Sequence, residues 1–112
     1  MKISKLNDMT GGWFIGDFDP SVYKTKDFEV AIATHKRGQK WPTHFHKVGV
    51  EINVLLEGKM KIQDQYIEAG DIFVIDPWEI ADPIFLEDCK VVIVKYPSDP
   101  KDKNIIKILE DH

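Results

Sequence analysis

His44, His46 and Glu51 are three potential metal ligands within eight residues. On a β-strand successive side chains point to opposite faces, so His44 and His46 share one face while Phe45 takes the other. One ion can then be held by both imidazoles. Glu51 lies too far along to sit beside them on a single straight strand. Gly49 permits a bend, after which Glu51 returns on the neighbouring strand and supplies an oxygen. Two imidazoles and one carboxylate on a rigid sheet form a set that divalent first-row metals accept, with positions left open. A bare His-x-His pair is more often a solvated pair on a half-buried strand, so this spacing alone does not make a site.

The elements that must position these residues read as strands. Short apolar runs separated by Gly, Pro, Asn and Asp are the punctuation of an all-β domain. Trp13, Phe14 and Ile15 form a first strand that ends at Gly16. Residues 28–36 alternate, with Phe28, Val30 and Ile32 on one face and Glu29, Ala31, Ala33 and His35 on the other. Residues 50–57 alternate again. If Glu51 points inward, so do Asn53 and Leu55, which leaves Val50, Ile52, Val54 and Leu56 outside. Turns at Gly58 and at Asp64-Gln65 lead through strands carrying Met60, Ile62 and Ile67. The run Ile72-Phe73-Val74-Ile75 suggests a strand covered on both faces. Pro77 and Pro83 bracket a loop, and residues 90–96 form a long β-branched strand. Residues 102–109 fit either a terminal strand or a short helix. Eight or nine such strands imply a sandwich or jelly-roll barrel. The four aliphatic residues on the outer face of 50–57 call for a cover, and a homodimer is the expectation.

Composition narrows the partners. At 112 residues the chain has the length of one domain, with a core over 28–96, an N-terminal strand at 11–16 and a tail at 97–112. Net charge is −4, and Lys36, Arg37 and Lys40 stand alone without interleaved aromatics, so nucleic acid is not an expected partner. Cys89 is the single cysteine; beside Val91 and Val92 it reads as a small buried hydrophobe. No apolar run reaches the roughly 18 residues of a membrane span, and no signal-peptide core is present. A cytoplasmic, soluble protein acting on a small molecule is expected.

Gly38, five residues, His44-Phe45-His46, four residues, Glu51, six residues and Gly58 resemble the first cupin motif at every defined position. From average residue usage its chance occurrence is roughly one in tens of thousands. The stretch from Gly70 to Pro77 resembles the start of the second motif. Beyond it the pattern departs: Glu79 stands where the turn glycine belongs, Asp82 where a third histidine belongs, and Leu86 where an asparagine belongs. The resemblance covers residues 28–96 and implies a cupin jelly-roll barrel, commonly dimeric, holding Mn, Fe, Ni, Co or Zn.

Carried over to this chain, the resemblance implies metal ligation by His44, His46 and Glu51; Asp82, at the third-histidine position, either completes the shell as a fourth ligand or faces away and leaves a facial triad with three open positions. A two-His, two-carboxylate shell is hard and anionic and favours Mn or Fe(II). Trp41 and Trp78, in Pro-adjacent loops at the edges of the two motifs, are candidates to ring the barrel mouth and stack on a substrate. Asn53 shares the face of Glu51 and could orient a ligand. Lys95 is either a solvent-facing charge or a substrate-binding cation in the cavity. His35 reads as an ordinary histidine, and residues 101–103 as a solvated turn. The expected function is a metal-dependent isomerase or dioxygenase acting on a carbohydrate or keto acid. The alternatives are a metal-independent nucleotide-sugar isomerase or epimerase and a non-catalytic ligand-binding module.

Overall fold

The computed structural model of the chain describes residues 1–106. Ten strands run in chain order: β1 (Trp13–Ile15), β2 (Glu29–His35), β3 (His44–Phe45), β4 (Val50–Glu57), β5 (Lys59–Ile62), β6 (Gln65–Glu68), β7 (Ile72–Ile75), β8 (Ile84–Phe85), β9 (Cys89–Tyr96) and β10 (Asn104–Ile105). A five-stranded sheet in the order β1-β2-β9-β4-β7 faces a three-stranded sheet, β6-β5-β8, with β3 and β10 paired separately. The result is a nearly all-β jelly roll. No helix among the described residues is long and apolar enough to cross a membrane.

Strand parity holds along β2, β4 and β9, and register arranges the inward side chains in rows. Ala33, Val91 and Leu55 are aligned across β2, β9 and β4; next come Ala31, Ile93 and Asn53, joined by Phe73 of β7; last come Glu29, Lys95 and Glu51. Polarity therefore rises along the strands from one end of the barrel to the other. The apolar end belongs to the core, where Leu55 is 0% exposed and clusters with Met60, Ile62, Phe85 and Val91, while Ile75 of the same cluster sits opposite Glu51. Cys89 is buried and free there.

The outer face of the large sheet is aliphatic from edge to edge. One row is Val30, Val94, Ile52 and Val74; the next is Ile32, Val92, Val54 and Ile72. β7 is the edge strand, and Ile72 and Val74 are 69% and 52% exposed. Within the single chain, β7 is thus covered on its inner face alone.

Two further departures bear on the site. The first-motif segment is strand only at His44–Phe45, and residues 46–49 form a loop. The C-terminal segment folds back across that loop: β10 pairs with β3, Ile105 opposite His44, and the Ile106 N–H donates to the Thr43 carbonyl at 2.9 Å. Of the ambiguous stretch 102–109, residues 104–105 are strand and 107–109 lie outside the described residues.

Candidate functional site

A cavity of about 430 Å³ opens at the polar end of the barrel. His44, His46, Glu51, Asn53, Lys95 and Trp41 all line it, so the structure brings together six of the eight residues singled out from sequence. Asp82 and Trp78 are not among its lining residues.

The position of Asp82 has a local cause. The pairing position opposite His44 is taken by Ala81, whose N–H donates to the His44 carbonyl at 2.7 Å and whose carbonyl accepts from the His44 N–H at 3.0 Å. The next side chain must point the other way. Asp82 accordingly accepts the Gln63 backbone N–H at 2.8 Å, in the β5–β6 turn. Asp82 thus does not complete a four-ligand shell, and the preference for Mn or Fe argued from a second carboxylate loses its basis. Trp78 occupies the left-handed turn position (φ 70°), one residue before Glu79, and is 64% exposed while stacking on Phe45 at 5.3 Å. Its stacking partner is the outward side of the His-Phe-His segment.

His44 and His46 are buried, with ring centroids 5.2 Å apart and planes at 78°. The His44 Nδ1 lies 2.9 Å from the Pro42 carbonyl oxygen. A carbonyl only accepts, so this contact places the proton on Nδ1 and leaves the lone pair on Nε2. His46 is held through its backbone, whose carbonyl accepts the Trp78 N–H at 2.7 Å, while its Nδ1 is buried without a partner. Burial lowers both imidazole pKa values. For His46 burial and then the Lys95 charge push it down to about 4, so both rings are neutral near pH 7.

Glu51 follows on β4. Burial raises its carboxyl pKa, and the charge of Lys95, opposite it on β9, pulls the other way. Lys95 resolves to the cavity interior: its Nζ lies 2.6 Å from Glu29 Oε1, with both side chains almost wholly buried. Ser98 Oγ donates to the other Glu29 oxygen at 2.9 Å and itself accepts the Asp17 N–H at 2.8 Å. This buried pair is therefore satisfied on the carboxylate side, which is what keeps such a pair tolerable in a low dielectric. Gly49 makes room for it. A Cβ there would sit 3.3 Å from the Lys95 Cγ, so the glycine serves close packing as well as the bend.

Sequence reasoning missed Glu29, Asp102 and Lys103. Glu29 carried a signal, a charge in inward phase with Ala31 and Ala33. Asp102 and Lys103 carried none, since 99–103 is rich in charge and reads as solvated. Asp102 is buried and its carboxylate accepts the N–H groups of Lys47 (2.8 Å), Val48 (3.0 Å) and Gly49 (2.8 Å), the loop that joins His46 to Glu51. Burial alone would raise its pKa, but these three bonds outweigh it and hold the carboxyl below its ordinary value.

The rest of the cavity wall is mainly apolar and aromatic, with Glu29, Thr34, Gln39 and Lys103 as its further polar members. His35 stacks on Phe85 at 4.2 Å and meets Trp41 edge-on at 5.4 Å. Asn53 Nδ2 and His35 Nδ1, like His46 Nδ1, are buried without partners. All three belong to side chains that line the cavity, with the atoms themselves closed off, so a ligand satisfies them only after a side-chain turn.

No protein-family model matches the chain, and no curated protein does. Solved structures do. KdgF from Halomonas sp. aligns with a TM-score of 0.63 at 21% identity, over 68% of this chain and 74% of that one. A double-stranded β-helix protein from Klebsiella pneumoniae aligns with a TM-score of 0.66 at 19% identity, over 88% and 86%. An RmlC-like cupin from Desulfovibrio desulfuricans aligns with a TM-score of 0.57 at 27% identity, over 68% and 77%. The chain has the small-cupin fold. At these identities the likeness carries the fold, and the chemistry has to come from this chain's own cavity.

A divalent metal is the group the cupin resemblance implies, and the donors suit it in kind. Two neutral imidazoles, one with its tautomer set by Pro42 and one with an unpartnered nitrogen, face the same space as a carboxylate. Among the described residues no three His, Cys, Asp or Glu side chains are gathered closely enough to be a ready-made ligand set. Closing the set therefore requires a side-chain adjustment, and Glu51, the member next to Lys95, is the one with competing charge.

Proposed function

We propose that this cupin binds a small, sugar-like oxygenated molecule in its barrel and that His44, His46 and Glu51 hold a divalent transition metal beside it. The observation that carries this reading is the neutral imidazole pair facing the cavity, with the Nε2 lone pair of His44 left free by the Nδ1 contact to Pro42. A metal bound there supplies Lewis acidity toward a substrate carbonyl or hydroxyl oxygen. The chain supplies the rest. Asn53 lines the cavity with its Nδ2 unpartnered, and a turn of the amide gives a substrate oxygen an N–H donor. Trp41 and His35 present ring surface for the carbon skeleton. Deep in the cavity, where Asn53, His44 and His46 are nearly fully buried, the lower local dielectric strengthens these contacts.

One observation favours a second reading. Lys95 already places a fixed cation beside Glu51, so the cavity has a positive group to stabilise developing negative charge without a metal. In that reading a neutral histidine removes a proton from the sugar, with Glu51 as its acid or base partner.

Elemental analysis of tag-free protein separates the two. We expect stoichiometric metal in the wild type and none in His46→Ala. Wild type that stays metal-free after incubation with Mn, Fe(II), Co, Ni and Zn, yet still binds sugars, would establish the metal-independent reading.

A further inference from the structure

Lys103 is the cavity-facing cation that the metal and sugar chemistry does not use. It comes from the C-terminal segment, which is tied down on both sides of it. Before it, Asp102 accepts three consecutive N–H groups from residues 47–49. After it, Asn104 pairs with Phe45 in the β3–β10 ladder and its Nδ2 donates to the Phe45 carbonyl at 3.3 Å. The backbone of Lys103 is thus fixed relative to His44 and His46. Its side chain lines the cavity with Nζ 4.3 Å from the centroid of the Trp41 ring.

Two carboxylates, Glu29 and Glu51, and two ammoniums, Lys95 and Lys103, line the cavity, and only one opposite pair is in direct contact. Lys95 is matched by Glu29 in direct contact. Lys103 has no carboxylate within ion-pair distance among the described residues. An ammonium held over an indole face at a cavity mouth, with the deeper pair already neutralised, attracts an anion. A second observation points to a ligand reaching inward from there. Asn53 and His46, each 4% exposed, line the same cavity and carry polar atoms without partners, which a turn of the side chain would bring to a ligand.

We propose that Lys103 docks the anionic group of the ligand at the mouth of the barrel, so that the ligand is a small organic anion, a sugar acid or a sugar phosphate. This rests on the reading that the cavity takes a small oxygenated molecule. It does not depend on the metal, since Lys103 is not a ligand. The anionic group sits at Lys103, the carbon skeleton lies along Trp41, and oxygens reach Asn53 and the histidines. No bond is made or broken at Lys103. It is a binding residue.

The test is calorimetric titration of the full chain with D-glucose, D-glucuronate and D-glucose 6-phosphate at low ionic strength. At least one anion should bind about tenfold more tightly than glucose, with the advantage shrinking as salt rises. A carboxylate-only or phosphate-only advantage identifies which anionic group the site takes. Lys103→Met should erase the advantage without changing glucose affinity or metal content, and Lys103→Arg should keep most of it. Equal affinity for all three probes overturns the proposal, as does an advantage that survives in Lys103→Met or a failure of both anions to bind. The metal content of the same samples reports separately on the His44, His46 and Glu51 reading, so one can fail while the other stands.

Discussion

The two ends of the barrel are built from the same three strands and obey different physics. At one end the inward row is Ala33, Val91 and Leu55, packed with Met60 and Phe85, and all of these but Leu55 form the apolar wall of the cavity. At the other it is Glu29, Lys95 and Glu51, roofed by the His44–His46 segment and the C-terminal strap. Burial stabilises the first directly, by about 25 cal/mol for each Å² of apolar surface removed from water. It destabilises the second unless every charge is matched. The difference teaches that the polar end is held by specific partners and the apolar end by volume, so the two should fail in different ways.

The largest effect should come from separating the buried pair. Lys95→Met leaves Glu29 with Ser98 as its only side-chain partner in a nearly water-free position. Removing one member of such a pair costs about 3–5 kcal/mol. Replacing both, as in Glu29→Gln with Lys95→Met, should recover much of that loss. Chemical denaturation of the two single variants and the double variant gives the coupling energy. A double variant no more stable than its weaker single variant would show that the row is held by something other than charge matching.

At the opposite end, Leu55→Ala should cost about 2–4 kcal/mol through lost transfer energy and a residual cavity. It should leave metal content and ligand affinity unchanged, because Leu55 meets the core cluster and is not among the residues lining the polar cavity. A Leu55→Ala protein with normal unfolding energy and impaired binding would erase the contrast between the two ends.

The contrast was only partly visible in the sequence, and the reason is physical. Period-2 alternation is a local property, so it placed Glu51, Asn53 and Leu55 on one face and Val50, Ile52 and Val54 on the other. Register is not local. Lys95 stood in inward phase with Val91 and Ile93, yet a lysine is stable inside only with a partner, and Glu29 lies on another strand, brought opposite by pairing alone. Asp82 failed for a related reason. Motif spacing counts residues, whereas pairing with His44 picked out Ala81 and turned its neighbour outward. The charged tail was least legible, since nothing in Asp102 and Lys103 as residue types separates a solvated turn from a clamp and a cavity cation.

That clamp gives the polar end a pH response that the apolar end lacks. The Asp102 carboxyl is held below its ordinary value, so the stability it contributes is fully present above the unfolded aspartate pKa and is lost as pH falls through the folded one. Asp102→Asn should be less stable than wild type by about 1–2 kcal/mol at about pH 7, from weakened charge-assisted bonds to residues 47–49. The gap should narrow on acidification below about pH 4. Urea titrations of both proteins across that range check it, and a gap independent of pH would mean that the carboxylate charge has no part in holding the loop.

The smallest effect is expected at Asp82, where the second cupin motif departs from its pattern. Its carboxylate accepts one exposed backbone N–H, from Gln63. Water replaces such a bond readily, so Asp82→Ala should lower stability by no more than about 1 kcal/mol. Metal content and anion affinity should match the wild type, because Ala81 and not Asp82 faces the cavity. If Asp82→Ala instead stripped the metal while His46→Ala did not, the loop 77–83 would have to rearrange on metal binding, and the boundary between the cavity and the outer turn would move to include it.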